Sequence, residues 1–163
     1  MSRQLAVFPG TFDPITRGHA DIVRRASSIF AEVVVAVANS PSKQTLISHQ
    51  QRLNLARLAC KGLSNVSCHG FEGLMIDFLR LRQARILVRG VRTVADYDYE
   101  IQLTGMYRAM MPELEIVLLP TAGELSYISS SLVREVMIHH GDITPFVPDA
   151  VAAALDCGQA HMT

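Results

Sequence analysis

The feature that most constrains the fold is a series of short apolar runs separated by segments with helical periodicity. Four runs are clear and a fifth is weaker, and they are Leu5–Phe8, Val33–Ala38, Ile86–Val88, Ile116–Leu119 and the weaker Val66–Phe71. The runs do not alternate polar with apolar residues. Unbroken apolar runs of this length are typical of strands that are covered on both faces of a parallel sheet. The sequence therefore predicts five buried strands.

Six segments are predicted to be helices. The first, His19–Phe30, carries its apolar residues on one face, namely Ile22, Val23, Ala26, Ile29 and Phe30. The others are His49–Lys61, Leu74–Gln83, Asp96–Met111, Ser129–His140 and Pro148–Leu155. The fifth helix is predicted to bury Leu132, Val133, Val136 and Met137 and to stop at Gly141. Alternating strands and helices predict a doubly wound α/β domain with right-handed crossovers.

Length and composition narrow the class of protein. A chain of 163 residues with 49% hydrophobic and 18% charged residues predicts one folded domain, residues 1–163, and not a disordered chain. Fifteen basic and fifteen acidic residues argue against nucleic acid as the main partner. The three cysteines are too few for a disulfide framework, no apolar run could span a membrane, and no signal peptide is visible. We therefore expect a cytoplasmic protein with reduced thiols and no membrane partner.

Four irregular segments follow predicted strand ends, and they are Pro9–Gly18, Asn39–Ser48, Arg89–Ala95 and Pro120–Ile128. In an open α/β sheet, ligands bind outside the carboxyl ends of the strands, where the strand order reverses. If the strand order is 3-2-1-4-5, the first and fourth strands are neighbours. The loops that follow those two strands then face each other across one crevice, which is where we look for chemistry.

The first of these loops favours an anion. Gly18 permits a phosphate to approach the backbone, and His19 is predicted at the N-terminus of a helix, where free N–H groups and the helix dipole attract negative charge. The loop matches neither the Walker A pattern nor the dinucleotide fingerprint. A turn with a solvated histidine explains His19 equally well by itself. Asp13, which precedes Pro14, is more simply a turn residue than a catalytic acid.

Three further segments could contact phosphate. Arg89 and Arg92 flank Gly90 after the fourth strand, and two guanidinium groups suit phosphate oxygens, although a pair of surface arginines is the alternative. The serines from Ser129 to Ser131 offer hydroxyls and helix N-terminal N–H groups, although capping alone would explain them. Lys43 adds a flexible cation near the same sheet edge.

The sequence shows no convincing nucleophile–base pair and no carboxylate dyad. Cys60, Cys68 and His69 lack the spacing of a metal site, and a structural thiol pair with a loop histidine is the simpler interpretation. Chemistry that needs neither a protein nucleophile nor a protein base works through positioning and charge stabilisation, as phosphoryl transfer does.

The order and spacing of these segments resemble the nucleotidyltransferase superfamily with the (His/Thr)-x-Gly-His signature. The segments that carry the resemblance are Gly10-Thr11-Phe12-Asp13-Pro14, Thr16-x-Gly18-His19, Ser40-Pro41-Ser42-Lys43, Arg89-Gly90-x-Arg92 and Ile128-Ser129-Ser130-Ser131. The resemblance runs from Leu5 to about Leu155 and is strongest to the bacterial phosphopantetheine adenylyltransferases, a branch that Thr16 also favours. It implies a Rossmann-like five-stranded parallel sheet in the order 3-2-1-4-5. The implied reaction transfers the adenylyl group of ATP to 4′-phosphopantetheine and releases dephospho-coenzyme A and pyrophosphate.

The resemblance also implies roles for individual residues. His19 would stabilise the transition state as the acceptor phosphate attacks in line, and Thr11 would contact both substrates. The acceptor site would comprise Thr11, Lys43, Leu74, Met75 and Arg89. The ATP site would comprise Thr11, Phe12, His19, Gly90, Val91, Arg92, Glu100, Leu125, Ser126, Tyr127, Ile128, Ser129, Ser130 and Ser131. Mg²⁺ would be held chiefly by phosphate oxygens and not by protein ligands, and the family implies a homohexamer.

Three residues depart from the family pattern. Arg17 stands where asparagine is expected and adds a cation beside the phosphate loop, Tyr107 replaces a smaller polar residue, and Leu125 replaces a frequent aromatic residue.

The nearest alternative is a sister nucleotidyltransferase that acts on nicotinate mononucleotide or glycerol phosphate, against which Thr16 and Lys43 argue. A non-catalytic nucleotide sensor is the alternative from another class, and the retained charged residues argue against it.

Overall fold

Five parallel strands form one sheet in the order β3-β2-β1-β4-β5. The computed structural model describes residues 4–159 and the side chains of residues 4–156. The strands are β1 (Leu5–Gly10), β2 (Glu32–Asn39), β3 (Val66–Glu72), β4 (Ile86–Val91) and β5 (Glu115–Pro120). All five predicted strands and the predicted strand order are confirmed, including the weakest of the five, β3.

The helices are α1 (Arg17–Ile29), α2 (His49–Ala59), α3 (Met75–Leu81), α4 (Val94–Met110), α5 (Ser130–Ile138) and α6 (Asp149–Gln159). Each predicted helix is present, with ends that differ from the prediction by a few residues. A short 3-10 turn at Gly123–Leu125, which the sequence analysis did not predict, precedes α5. None of the helices within residues 4–159 is long and apolar enough to cross a membrane.

The β2 strand shows why the apolar runs are unbroken. Val33, Val35 and Val37 belong to the hydrophobic cluster on one face of the sheet. Val34 and Ala36, which alternate with them, belong to the cluster on the other face. Since both faces are covered, every central position of the strand is buried, and the polar–apolar alternation of a one-sided sheet is lost.

Two predicted core residues are instead exposed. Ile29 is 57% exposed because α1 ends there, and Phe30, which follows in extended conformation, enters the core in its place. Leu132 is 61% exposed, whereas Val133 and Met137, which are four residues apart on one face of α5, are buried. The left-handed residue that follows α5 is His140 with φ of 55°, so Gly141 is not the residue that ends the helix.

Cys60 and Cys68 are buried, unbridged and part of the same hydrophobic cluster, as the structural-thiol interpretation predicts. Cys60 caps the C-terminus of α2 and Cys68 lies in β3. The side chain of Cys157 lies outside the described side chains.

Candidate active site

A cavity of about 460 Å³ opens at the carboxyl ends of β1 and β4. The residues that bring charged or hydrogen-bonding side chains to it are Thr16, His19, Arg89, Arg92, Asp96, Tyr99, Glu100, Thr121, Ser129, Ser130 and Ser131. The loops after β1 and β4 therefore face one crevice, as predicted from the strand order. The loop after β5 and the N-terminus of α5 form a further wall.

Two glycines make room for the side chains around this cavity. A Cβ atom on Gly10 would lie 2.7 Å from the ring of Phe12, which is too close for any side chain there. A Cβ atom on Gly90 would lie 3.2 Å from Cγ1 of Ile22 on α1. The lack of a side chain at Gly90 thus lets α1 approach β4 and brings the first residues of α1 to the cavity.

The N-terminal cap of α1 orients His19. The backbone N–H of His19 donates to Oγ1 of Thr16 at 3.3 Å, and the backbone N–H of Thr16 donates to Nδ1 of His19 at 3.1 Å. A backbone N–H can only donate, so Nδ1 accepts through its lone pair. In the neutral imidazole the proton must then lie on Nε2. The cap therefore fixes both the ring and its tautomer, and leaves Nε2–H as the donor.

The surroundings of His19 favour its neutral form. Burial, together with the positive charges of Arg92 and Arg89, lowers the pKa of His19 from 6.5 to about 4. The Phe12 ring packs edge-on against the imidazole, with ring centroids 5.0 Å apart. At neutral pH His19 is an uncharged, rigidly held hydrogen-bond donor in a cavity that is also lined by two arginines and two carboxylates.

Arg89 is held by Glu100, an acceptor eleven residues further along the chain. Nε of Arg89 donates to both carboxylate oxygens at 3.0 and 2.9 Å, and Nη2 donates to Oε1 at 2.7 Å. Glu100 is 6% exposed, and Nη1 of Arg89 donates to the carbonyl oxygen of Pro9 at 3.4 Å. Glu100 thus occupies the Nε–Nη2 edge, and a ligand reaches Arg89 at its remaining N–H groups.

Arg92 is tied to two neighbours. Its Nε donates to Oδ2 of Asp96 at 3.0 Å, and its Nη1 donates to the carbonyl oxygen of Ile128 at 3.2 Å. Burial raises the pKa of Asp96, but hydrogen bonds from Arg92 and Thr93 outweigh that effect and leave it below its usual value. These contacts place a guanidinium group beside the N-terminus of α5.

The three serines at the start of α5 have different partners. Ser129 is the N-cap, and its hydroxyl accepts from the N–H of Leu132 at 3.2 Å. The hydroxyl of Ser130 donates to the carbonyl oxygen of Pro14 at 3.4 Å, and that of Ser131 accepts from Arg134 at 3.1 Å. Capping accounts for Ser129. The three residues also line the cavity, so the N-terminus of α5 faces the place where an anion would bind.

The predicted acceptor residues lie around and beyond the cavity. Nζ of Lys43, on the exposed loop after β2, donates to Oγ1 of Thr11 at 3.4 Å. Leu74 precedes α3 and is 60% exposed, whereas Met75 is 7% exposed and packs in the second hydrophobic cluster. Of the five residues predicted for the acceptor site, Arg89 lines the cavity and the other four do not.

The predicted ATP residues also divide into two groups. His19, Gly90, Arg92, Glu100, Ile128, Ser129, Ser130 and Ser131 line the cavity. Phe12 lies behind His19 and Val91 ends β4. Leu125 lines a separate cavity on the outer side of α1, the hydroxyl of Ser126 donates to the carbonyl oxygen of Gly123, and Tyr127 is 63% exposed.

Four polar residues of the cavity were not predicted as site residues, namely Thr16, Asp96, Tyr99 and Thr121. Two of them had a local signal, because Thr16 stands three residues before His19 as in a capping box, and Asp96 stands four residues after Arg92. Arg17, which was expected to add a cation beside the phosphate loop, does not line the cavity, and its Nη2 donates to Oδ1 of Asp149 at 2.8 Å and to the carbonyl oxygen of Thr144 at 3.1 Å.

Comparison with known proteins identifies the family of this chain. A family model described as cytidylyltransferase-like matches residues 7–136. A phosphopantetheine adenylyltransferase of Tolumonas auensis is 51% identical over 160 residues, which cover 98% of both chains. One of Thioalkalivibrio sulfidiphilus is 53% identical over 151 residues, which cover 93% of this chain and 95% of the relative.

A solved structure from Vibrio parahaemolyticus, provisionally described as a nicotinate-nucleotide adenylyltransferase, has the same fold. It matches with a TM-score of 0.72 over 99% of this chain and 97% of that one. At 19% sequence identity this likeness concerns the fold alone.

Proposed function

This chain belongs to the cytidylyltransferase-like family and, within it, to the phosphopantetheine adenylyltransferases, and on that premise we propose that it transfers the adenylyl group of ATP to 4′-phosphopantetheine. The products are dephospho-coenzyme A and pyrophosphate, in the biosynthesis of coenzyme A. The observation that carries the proposal is the cavity in which a neutral histidine donor, two arginines and a helix N-terminus converge.

In this reaction a phosphate oxygen of 4′-phosphopantetheine attacks the α-phosphorus of ATP. The new P–O bond forms as the bond to the bridging oxygen of the β-phosphate breaks, and pyrophosphate leaves. His19 donates from Nε2–H to the α-phosphate oxygens, where charge is redistributed in the transition state. A preorganised donor of this kind accelerates the step without reorganising during it.

The cavity and the loops beside it suit the two substrates. Arg92, which is tied to the carbonyl oxygen of Ile128, and the N-terminus of α5 would bind the phosphates of ATP. Lys43 and Thr11, whose polar atoms are 3.4 Å apart, would bind the phosphate of the acceptor together with Arg89. Arg89 lies on β4, between the loops that carry these two groups.

Mg²⁺ would enter with the nucleotide. The two cavity carboxylates, Asp96 and Glu100, are both held by arginines, and no cluster of three or more potential metal ligands occurs within the described part of the chain. This donor set fits a metal ion that is coordinated mainly by triphosphate oxygens and water. When bound, Mg²⁺ would offset the negative charge of the triphosphate.

We further propose that the protein is a cytoplasmic homohexamer. Support for self-association comes from exposed apolar side chains on and next to α3 and α4, which are Leu74, Leu81, Val94, Tyr97, Ile101, Met106 and Met110. Exposed apolar groups on neighbouring elements mark surfaces that associate. Sedimentation velocity at micromolar concentration distinguishes a particle of six chains from smaller species.

A panel of acceptors and nucleotides tests the reaction. Purified protein is incubated with ATP or CTP and with 4′-phosphopantetheine, nicotinate mononucleotide or glycerol 3-phosphate, and pyrophosphate release is followed. We expect release with ATP and 4′-phosphopantetheine well above every other pair. Preferential release with CTP or with another acceptor would assign the chain to a sister activity, and no release with any pair would support a nucleotide sensor.

A further inference from the structure

A buried arginine outside the cavity joins three backbone segments. Arg52, in the first turn of α2, is 1% exposed. Its Nε donates to the carbonyl oxygen of Ile47 at 3.1 Å, and its Nη1 donates to the carbonyl oxygens of Ala38 at 2.8 Å and Thr11 at 2.5 Å. These acceptors belong to the end of β2, the end of the loop that follows β2, and the loop that follows β1.

Asp13 joins the same two loops from the other side. Its side chain is buried, and its two oxygens accept from the backbone N–H groups of Ile47 and Leu46, each at 2.9 Å. Both oxygens are therefore engaged, which agrees with a structural and not an acid–base role. The negative charge of Asp13 also opposes the lowering of the pKa of Arg52 that burial causes.

Together these bonds fix the loop that carries Lys43. The loop of residues 40–48 leaves β2 beside Ala38 and returns at Leu46 and Ile47, and both of its ends are bound by Arg52 or Asp13. Lys43 itself is exposed near the middle of the loop. Ile47 also packs in the same hydrophobic cluster as Phe12, and the bonds of Arg52 and Asp13 add fixed directions to that apolar contact.

The charged guanidinium group of Arg52 is buried and donates to neutral carbonyl groups, so its loss of hydration is not offset by a paired carboxylate. An arginine is rarely buried fully without a paired carboxylate, and no salt bridge to Arg52 occurs within the described residues. A guanidinium group can hold several carbonyls in a fixed fork, whereas a lysine ammonium group cannot reproduce that geometry.

We propose that Arg52 and Asp13 are positioning residues for the acceptor half of the active site, which set the distance between Lys43 and Thr11 and hence bind the acceptor phosphate in line with ATP. This inference rests on the proposed function. Misplacement of a phosphate by about 1 Å costs roughly a hundredfold in rate. The ATP side of the cavity depends on Arg92 and α5. The three carbonyl partners of Arg52 lie outside both, and Asp13 reaches α5 through one longer ion pair, 3.8 Å from Nη1 of Arg134, so the two substrates should respond differently and most clearly in the Arg52 variant.

The test uses Arg52→Lys, which keeps the positive charge but loses the fork, and Asp13→Asn, which loses one of the two acceptors. Arg57→Lys is the matched control, since Arg57 is an exposed arginine on the same helix. For both Arg52→Lys and Asp13→Asn we expect KM for 4′-phosphopantetheine to rise about tenfold or more and kcat to fall, while the Kd for ATP changes less than about threefold. The control should match the parent in all three constants.

A merely structural role predicts a different result, in which thermal stability falls and both substrate constants of the folded fraction stay at parental values. That result, or equal losses for ATP and acceptor, would overturn the proposal. If the variants do not fold, hydrogen exchange on the parent protein tests the proposal. The amides of Leu46 and Ile47 should exchange slowly because Asp13 binds them, and fast exchange would contradict the proposed role of Asp13. A parent protein that is inactive with 4′-phosphopantetheine would instead refute the proposed function. The exchange result would still test whether Asp13 holds the loop that carries Lys43.

Discussion

At the scale of single residues, Thr16 determines what His19 can do. The Thr16 N–H binds Nδ1, so the imidazole has a donor at Nε2 and no free lone pair with which to attack phosphorus. A residue of this kind contributes in the transition state through a hydrogen bond. Its contribution to binding of ATP in the ground state is smaller, because Arg92 and α5 still hold the nucleotide.

We therefore expect His19→Ala to lower kcat by roughly 10²–10³, the effect of losing one preorganised donor. The Kd for ATP should stay within about tenfold of the parent value, which corresponds to ~1.4 kcal/mol. Steady-state kinetics and calorimetric titration with ATP measure the two quantities. A folded His19→Ala protein with near-parental turnover would contradict the assignment.

The pH dependence of His19 gives a second prediction. Its pKa is about 4 in the folded protein and 6.5 in the unfolded chain, so between these values the unfolded chain binds more protons. The contribution of neutral His19 to the free energy of unfolding is therefore complete above pH 6.5 and is lost as the pH falls towards 4.

An NMR titration of the imidazole tests this directly in the ligand-free protein. We expect a midpoint near pH 4 and nitrogen shifts of the Nε2–H tautomer. A midpoint near 6.5, or an Nδ1–H tautomer, would show that the cap does not control the ring.

The sequence identified most of the polar side chains that line the cavity but not their pairing. Arg89 and Glu100 were both predicted as ligand-binding residues, and the structure shows that they bind each other. Arg89 lies on β4 and Glu100 on α4, so the periodicity of a single element does not relate them, and the packing of α4 against β4 brings them together. The same holds for Arg52, whose three acceptors come from separate parts of the chain.

At the scale of secondary-structure elements, the cations of the site come from the loop after β2 and from β4 with the loop that follows it, and β4 contributes to both substrate sites. The loop after β2 carries Lys43, β4 carries Arg89, and Arg92 follows β4 directly. We expect Lys43→Ala and Arg89→Ala to weaken binding of 4′-phosphopantetheine and Arg92→Ala to weaken binding of ATP. Each loss should be about tenfold or more, as a charge-assisted hydrogen bond supplies.

Calorimetric titration of each variant with each ligand separates the two sites. Arg89→Ala is also made together with Glu100→Gln, because Arg89→Ala alone leaves a buried carboxylate without its partner. Lys61→Ala, at an exposed lysine outside the cavity, is the control. Equal losses for both ligands in all three variants would refute the division of the site.

The pattern of apolar residues was sufficient to predict the strands and helices, but not which residues at the margins of the helix faces are buried. The apolar runs identified the central strands most clearly, because burial on both faces leaves no polar position in the middle of a strand such as β2. The edge strand β3 carries Ser67 and His69 and gave the weakest of the five patterns. Helix faces were less certain at their margins, where Ile29 and Leu132 fit the periodicity and yet are exposed. A margin residue is buried only if a neighbouring element covers it, and the periodicity of one helix carries no information about that neighbour.

At the scale of the whole molecule, the reversal of strand order between β1 and β4 creates the crevice. The loops after these adjacent strands diverge to opposite faces of the sheet, and ligands bind where they part. His19 enters from α1 and the two arginines enter from β4 and its loop. Two anionic substrates can then meet in one cavity without a nucleophile from the protein.

The stereochemistry at the α-phosphorus is the most direct test of this direct transfer. The measurement uses ATP made chiral at the α-phosphorus with sulfur, with 4′-phosphopantetheine as acceptor, and determines the configuration of the product. A single in-line displacement, with His19 as a donor, predicts inversion of configuration. Retention would require two displacements through a covalent adenylyl-enzyme, which would make a protein side chain the nucleophile and contradict the role assigned to His19.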